Sequence, residues 1–373
     1  MRAPPPRAVN WLSTYCLSTY CLNTYRSRAY RPRAYRPRAY RGVAGLFIVL
    51  LGLAAAAPAL PAENHQLFDV LSKIERAARQ SNYAGTFIYQ EGSQMRTSRI
   101  AHVWDGENER EKLEILDGAP REFIRNNNQV TAYISDSKTM RIETRMASDL
   151  FPSMSINKRS AVGRYYALGN GEIDRVAGLS ARQWSLRPKD RWRYGYKVWT
   201  DQGSGLLLRM QTIDAGHRLV EQISFTQLNQ LGFEAIPAAR LAPSFTPTGA
   251  WRVERIRLLP AALPGWRVRW MPPGFYKIQQ VKRLVSRENT PISVRKAAIA
   301  PDEGILSQIV YSDGMAGISI FIEMDGGNRQ EGAAKQGAIN IISKRYGQFW
   351  LTIVGEVPAV TIKQIAKSIQ FKP

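Results

Sequence analysis

"RWRYGYKVWTD", Arg191 to Asp201, decides how the middle of this chain folds. Basic and apolar residues alternate through its first half, and a period of two sends successive side chains to opposite faces of a strand. Trp192, Tyr194, Tyr196 and Val198 then share one face, and Arg191, Arg193 and Lys197 the other. The turn Asp201-Gln202-Gly203-Ser204-Gly205 leads into "LLLRMQTID", where Leu206, Leu208 and Met210 alternate with Leu207, Arg209 and Gln211. Two alternating strands around a Gly-containing turn form a hairpin. Basic residues interleaved with aromatics fit a nucleic-acid surface, an anionic-lipid surface, or a strand with one wet face.

The rest of the chain narrows that choice. Tyrosine recurs every five residues from Tyr15 to Tyr40, a period that fits no standard solenoid and resembles a translated tandem repeat. This leaves the start open between Met1 and a downstream site. "GVAGLFIVLLGLAAAAPALPA", Gly42 to Ala62, follows a run of arginines and ends in small residues. That order is a secretory signal peptide, and the run is short for a membrane span. Cleavage after Ala59 or Ala62 is expected, with the mature chain beginning near Glu63. Both cysteines, Cys16 and Cys21, fall in the prefix, so the exported part must stand on its core without disulfides. The nine prefix arginines take the formal charge from +22 to +13. An exported basic protein meets anionic lipid, lipopolysaccharide and acidic partner segments, and rarely nucleic acid.

Residues 1–62 are therefore read as prefix and signal peptide. Leu67, Leu71, Ile74 and Ala78 then recur at helical spacing, with Asn64 as the expected cap. Short segments follow, among them "AGTFIYQ", "SRIAHVW", "EKLEIL", "REFIR" and "QVTAYI", divided by "EGSQ", "DGENE", "LDGAP" and "NNN". That spacing of turn signals indicates an antiparallel meander. Arg145 to Leu168 is left as helix or loop. A large domain is expected over 63–236. Residues 237–264, with five prolines, read as a linker containing one short strand, "WRVERIRLL". The second domain, 265–373, carries hairpins around Ser312–Gly314 and Tyr346–Gln348. It ends in a helix after Pro358 with Ile362, Ile365, Ala366 and Ile369 on one stripe. This is a small α+β domain, an antiparallel sheet with a C-terminal helix.

Catalytic motifs are poorly represented. No GxSxG, HExxH or phosphate-binding GxxxxGK[ST] occurs, and "GNGEID", Gly169 to Asp174, reads as a turn. The histidines, His65, His102 and His217, are dispersed, with His102 expected as an ordinary sheet residue. The carboxylates from "EGSQ" to "NERE" are expected to be solvated in hairpin loops. No enzyme, metal or cofactor is indicated. Trp184, Trp192, Tyr194 and Trp199 cluster within sixteen residues, which suits either a sheet core or the lining of an apolar cavity.

"NYAGTFIYQEGSQMRTSRIAHVWDGENEREKLEILDGAPREFIR", with its "GTFIYQ" and "LDGAPREFIR" segments, resembles the opening of the MucB/RseB family of periplasmic regulators. "YGYKVWTDQGSGLLLRMQTID" resembles a hairpin that family shares with lipoprotein carriers of the LolA and LolB type. "GWRVRWMPPGF", "SQIVYSDGMAGISIFIE" and "VGEVPAVTIKQIAKSI" are similar to its small domain. The resemblance covers nearly all of Leu67 to Phe371; the repetitive prefix and long linker depart from it. It implies an α+β protein whose large domain is an unclosed antiparallel β-barrel with plugging helices, its cavity suited to acyl chains. Trp192, Tyr194, Leu206, Leu208 and Met210 become the cavity candidates, and Arg191, Arg193 and Lys197 the anion-facing ones. Trp266, Trp270 and Tyr311 are the candidates for partner contact. The implied partner is the periplasmic domain of a RseA/MucA-type anti-sigma factor, shielded from regulated proteolysis and released by lipid or lipopolysaccharide. A homo-oligomer is implied as well. A lipoprotein or lipid carrier on the same fold is the alternative.

Overall fold

The computed structural model describes residues 62–144, 162–232, 235–248, 250–287, 305–327 and 329–372. The prefix, the apolar run with its cleavage region and most of the Arg145–Leu168 stretch lie outside the described residues. Helix α1 (Ala62–Gln80) opens the described chain. It begins two residues before Asn64, which therefore sits inside the helix rather than capping it. Six strands follow: β1 (Asn82–Glu91), β2 (Gln94–Trp104), β3 (Glu109–Ile115), β4 (Arg121–Asn126), β5 (Gln129–Ile134) and β6 (Thr139–Thr144). One short helical turn, α2 (Val162–Tyr165), precedes β7 (Tyr166–Val176), β8 (Leu179–Pro188), β9 (Gly195–Asp201), β10 (Leu207–Ile213) and β11 (Leu219–Gly232). Strand β12 (Arg252–Pro260) leads to β13 (Trp266–Val268), β14 (Tyr276–Arg287), β15 (Ile305–Ser312) and β16 (Gly317–Met324). The chain closes with β17 (Gly332–Gln336), β18 (Ile339–Tyr346), β19 (Phe349–Gly355), helix α3 (Ala359–Ser368) and β20 (Ile369–Phe371).

Eighteen of the strands form one open sheet. The pairings run from β7 through β8, β9, β10 and β11 to β1. They continue from β1 through β2, β3, β4 and β5 to β6. Beyond β6 the order is β12, β14, β15, β16, β19, β18, β17. The β6–β12 pair is parallel and the others are antiparallel. "WRVERIRLL" is thus a strand, as read, and it hydrogen-bonds to one domain on each edge.

Two main cores lie along this ribbon. In the first, Leu67, Leu71 and Ile74 of α1 pack on Phe87, Ile100, Leu113, Leu208 and Phe225 from the strands. The i, i+4, i+7 spacing on α1 places these residues on one face, and Leu67, Leu71 and Ile74 are each 1% exposed or less. In the second, Ile318, Ile320, Leu351 and Ile353 face Ile362, Ile365 and Ala366 of α3. The strand β7 corrects the reading of "GNGEID" as a turn, because those residues run within it past a register shift between Asn170 and Ile173. A β-carbon on Gly169 would lie 2.5 Å from the Ser185 hydroxyl oxygen, so the glycines there serve close strand approach.

Candidate functional site

The hairpin reading holds from Tyr196 onward and fails before it. Strand β9 begins at Gly195, and Trp192 to Tyr194 form a turn that docks on the small domain. Lys197 is exposed, as alternation requires, while Tyr196 and Val198 are buried. Arg193 was expected on the wet face. It is instead 3% exposed and directs its guanidinium into the seam between the domains.

Three acceptors and three aromatic rings hold that guanidinium. Its Nη1 donates to Asp313 Oδ2 at 2.6 Å, and its Nη2 to the Pro273 carbonyl at 2.6 Å. Its Nε donates to Asp190 Oδ1 at 3.1 Å. The rings of Tyr165, Tyr166 and Phe275 surround it, with the Tyr165 centroid 4.6 Å from Cζ. Asp313 is held in turn: the Met315 and Ala316 N–H groups donate to Oδ1 at 2.9 and 2.8 Å. The Tyr166 hydroxyl donates to Oδ2 at 3.3 Å. Burial pushes the Asp313 carboxyl above the usual aspartate range, and Arg193 with the two backbone donors pulls it back. The "PPGF" turn reaches this site because Gly274, at φ +89°, has no side chain. A β-carbon there would lie 2.2 Å from the Tyr165 ring.

The seam continues on both sides of Arg193. Trp192 meets Trp270 edge to face at 4.8 Å, and the Thr361 hydroxyl donates to the Trp192 carbonyl at 2.8 Å. The Tyr194 hydroxyl accepts from Asn340 Nδ2 at 3.1 Å. Glu221, in the large domain, accepts from the Ala338 N–H at 2.8 Å and from the Tyr89 hydroxyl at 2.8 Å. Met315 and Ala338 of the small domain are buried in the large domain's core. Glu356 has an Oε1 that is buried without a hydrogen-bond partner. Burial, reinforced by the nearby Glu221 and Asp313 charges, holds its carboxyl well above the usual range.

One pocket lies away from this seam. It has a volume of about 180 Å³ and lies between α1 and β8–β9, lined by Val70, Lys73, Ile74, Arg182, Trp184 and Thr200 among others. Trp192, Tyr194, Leu206, Leu208 and Met210 do not line it. Leu206 and Leu208 are fully buried in the core, and Met210 is half-buried against it. Of the four clustered aromatics, Trp184 reaches the cavity. Trp199 lies on the opposite sheet face, donating from Nε1 to Asp174 Oδ2 at 3.0 Å. Arg191 stacks its guanidinium on Trp192 at 4.5 Å. Trp266 belongs to an aromatic cluster with Tyr346, Phe349 and Phe371, and Tyr311 packs on the small domain's core. The structure therefore brings Trp192, Arg193, Tyr194 and Trp270 together and leaves Trp266 and Tyr311 apart from them.

Two residues expected to be solvated are buried. Glu109 and Glu111 both accept from Arg125 Nη2, at 2.7 and 2.6 Å, inside the large domain. His102 joins them through Glu109 at 3.2 Å and contacts the Ser81 carbonyl at 2.8 Å. Burial alone would raise Glu109, but hydrogen bonds from His102 and Arg125 outweigh it and hold the carboxyl far below its usual range. Their alternate spacing on β3 places both carboxylates on the face of Leu113, so the sequence carried a signal for burial. Among the described residues no group of His, Cys, Asp and Glu is arranged to hold a metal ion.

These features describe a two-domain chain built on one open sheet, with a buried contact between its domains. The MucB/RseB N-terminal domain model matches residues 67–245 and the MucB/RseB C-terminal domain model residues 260–370. The chain belongs to the MucB/RseB family. It is 28% identical over 333 residues to the sigma factor AlgU regulatory protein MucB of Pseudomonas aeruginosa, covering 87% of this chain and 96% of that protein. It is 26% identical to the sigma-E factor regulatory protein RseB of Haemophilus influenzae, with the same coverage. The solved Pseudomonas aeruginosa MucA/MucB complex matches 82% of this chain and 98% of the aligned chain at 26% identity, with a TM-score of 0.60.

Proposed function

We propose that this chain is a periplasmic negative regulator of an envelope-stress response of the sigma-E type. It binds the periplasmic part of a RseA/MucA-type membrane anti-sigma factor and shields it from regulated proteolysis. Lipid or lipopolysaccharide in the large domain releases it. The observation that carries this reading is the likeness to MucB, solved with MucA, across both domains. The seam adds support, because a carrier needs only the large domain, whereas here Met315 and Ala338 of the small domain are buried in the large domain's core. The partner segment is read as lying along the small domain and the seam, near Trp192 and Trp270.

In this reading α1 moves to admit lipid. Drug-sized ligands occupy pockets of roughly 300–1,000 Å³, and the cavity beneath α1 has about 180 Å³. An acyl chain is accommodated when Leu67, Leu71 and Ile74 withdraw from the core. Release of the partner then follows if the lifted arrangement binds partner more weakly, since a ligand shifts an equilibrium only by its differential affinity. Pull-down from envelope extracts tests the function. An anti-sigma factor as the dominant captured protein supports it; mature lipoproteins as the dominant capture would favour the carrier reading instead.

A further inference from the structure

The small domain carries a basic face. Helix α3 and the β13–β20 pair lie over the second core as an outer layer. From that layer Lys363, Lys367, Arg267 and Arg269 are exposed. Lys282 and Arg257 stand exposed on the flank of the same sheet face. The register fixes their side: Gln280 pairs with Ile309 of the core, Lys282 with Ser307, Leu259 with Lys282, and Arg257 with Leu284. The sequences of β13, α3, β20 and β14 contain no Asp or Glu. The one acid of β12, Glu254, points to the opposite face and pairs with Arg141 at 2.8 Å. Among the described residues elsewhere in this domain, Glu323 pairs with Arg329, Asp325 with Arg345, and Asp313 with Arg193.

We propose that this face docks on a bilayer surface containing anionic phospholipid. Like charges placed together without acids raise the folded state's self-repulsion, and an external anion relieves it. Its exposed cations are spread over α3, β13 and β14, so it suits a diffuse layer of headgroups better than one extended peptide. Val360, 46% exposed on the first turn of α3, adds an apolar contact at the layer's surface.

Cosedimentation of the mature protein with vesicles tests this. Vesicles of phosphatidylcholine alone are compared with vesicles one-third phosphatidylglycerol, at low and at raised salt. Binding is expected to the anionic vesicles only, and to fall as salt rises. Each juxtamembrane charge removed weakens binding about fivefold, so Lys363→Gln with Lys367→Gln weakens it about 25-fold. Arg267→Gln with Arg269→Gln is the second variant should the first unfold. Equal binding to both vesicle types overturns the proposal, as does wild-type binding by a folded variant. Binding to polyglutamate but not to anionic vesicles also overturns it, and would assign the face to an acidic polypeptide.

Discussion

Arg193 shows what alternation alone cannot distinguish. "RWRY" has the period of a strand, yet its residues form a turn whose arginine finds Asp313, 120 positions away. "YSDGMAG" was legible as a hairpin turn, and Ser312 to Gly314 does connect β15 to β16. Nothing local to it states that its aspartate is buried against an arginine. Removing one member of a buried pair strands the other, at a cost of about 3–5 kcal/mol. Arg193→Ala is therefore expected to lower unfolding free energy in urea by that amount. A loss near zero would mean that the pair does not hold the seam. Replacing both members with apolar residues of similar volume should restore much of the loss. Glu356 gives a pH-dependent counterpart. Its folded-state value is raised above the unfolded one, so its stabilising proton is fully bound below the ordinary glutamate range. The contribution is lost as pH rises through the raised value. Glu356→Gln should thus gain stability over the parent as pH rises, by about 1–3 kcal/mol where the parent is ionised. A pH-independent difference in urea titrations would remove Glu356 from the pH response.

At the scale of elements, α1 and β12 carry most of the account. The apolar spacing of Leu67, Leu71, Ile74 and Ala78 made α1 legible, and those residues are the ones buried. The helix's cover over the cavity was not legible, because periodicity shows which face is buried but not against what. Leu71→Ala should cost about 2–5 kcal/mol through lost contacts and the space left behind. It should also increase uptake of a fluorescent acyl probe, since α1 then closes less firmly; unchanged uptake in a folded variant would mean that α1 is not the lid. β12 was legible as a strand but not as a bridge, since its partners β6 and β14 lie on either side of it in chain order. Its register pairs Ile256 with Glu143 on one side and Val285 on the other. Proline there removes a ladder donor and clashes within a central strand. Ile256→Pro should split one calorimetric unfolding transition into two. A single transition at the parent's temperature would show that β12 does not couple the domains.

For the whole molecule, the residues read as a linker contain β12, which joins the strands of both domains in one ribbon beside a buried seam. Motion must then begin at α1 or break the Arg193–Asp313 contact. The family was legible because its motifs are separated and keep their order; the seam was not, because its residues come from segments far apart in the chain, 80 positions for Arg193 and Pro273 and 169 for Trp192 and Thr361. In the proposed mechanism lipid and partner favour different arrangements of one structure, so each must weaken the other's binding by the same factor. Calorimetric titration of the mature protein with the periplasmic segment of a MucA-type anti-sigma factor, with and without lipopolysaccharide, tests this most directly. The segment is expected to bind saturably, lipopolysaccharide to weaken that binding, and the segment to weaken lipopolysaccharide binding by the same factor. Absence of binding, or affinity for the segment unchanged by saturating lipopolysaccharide, would contradict the proposed mechanism.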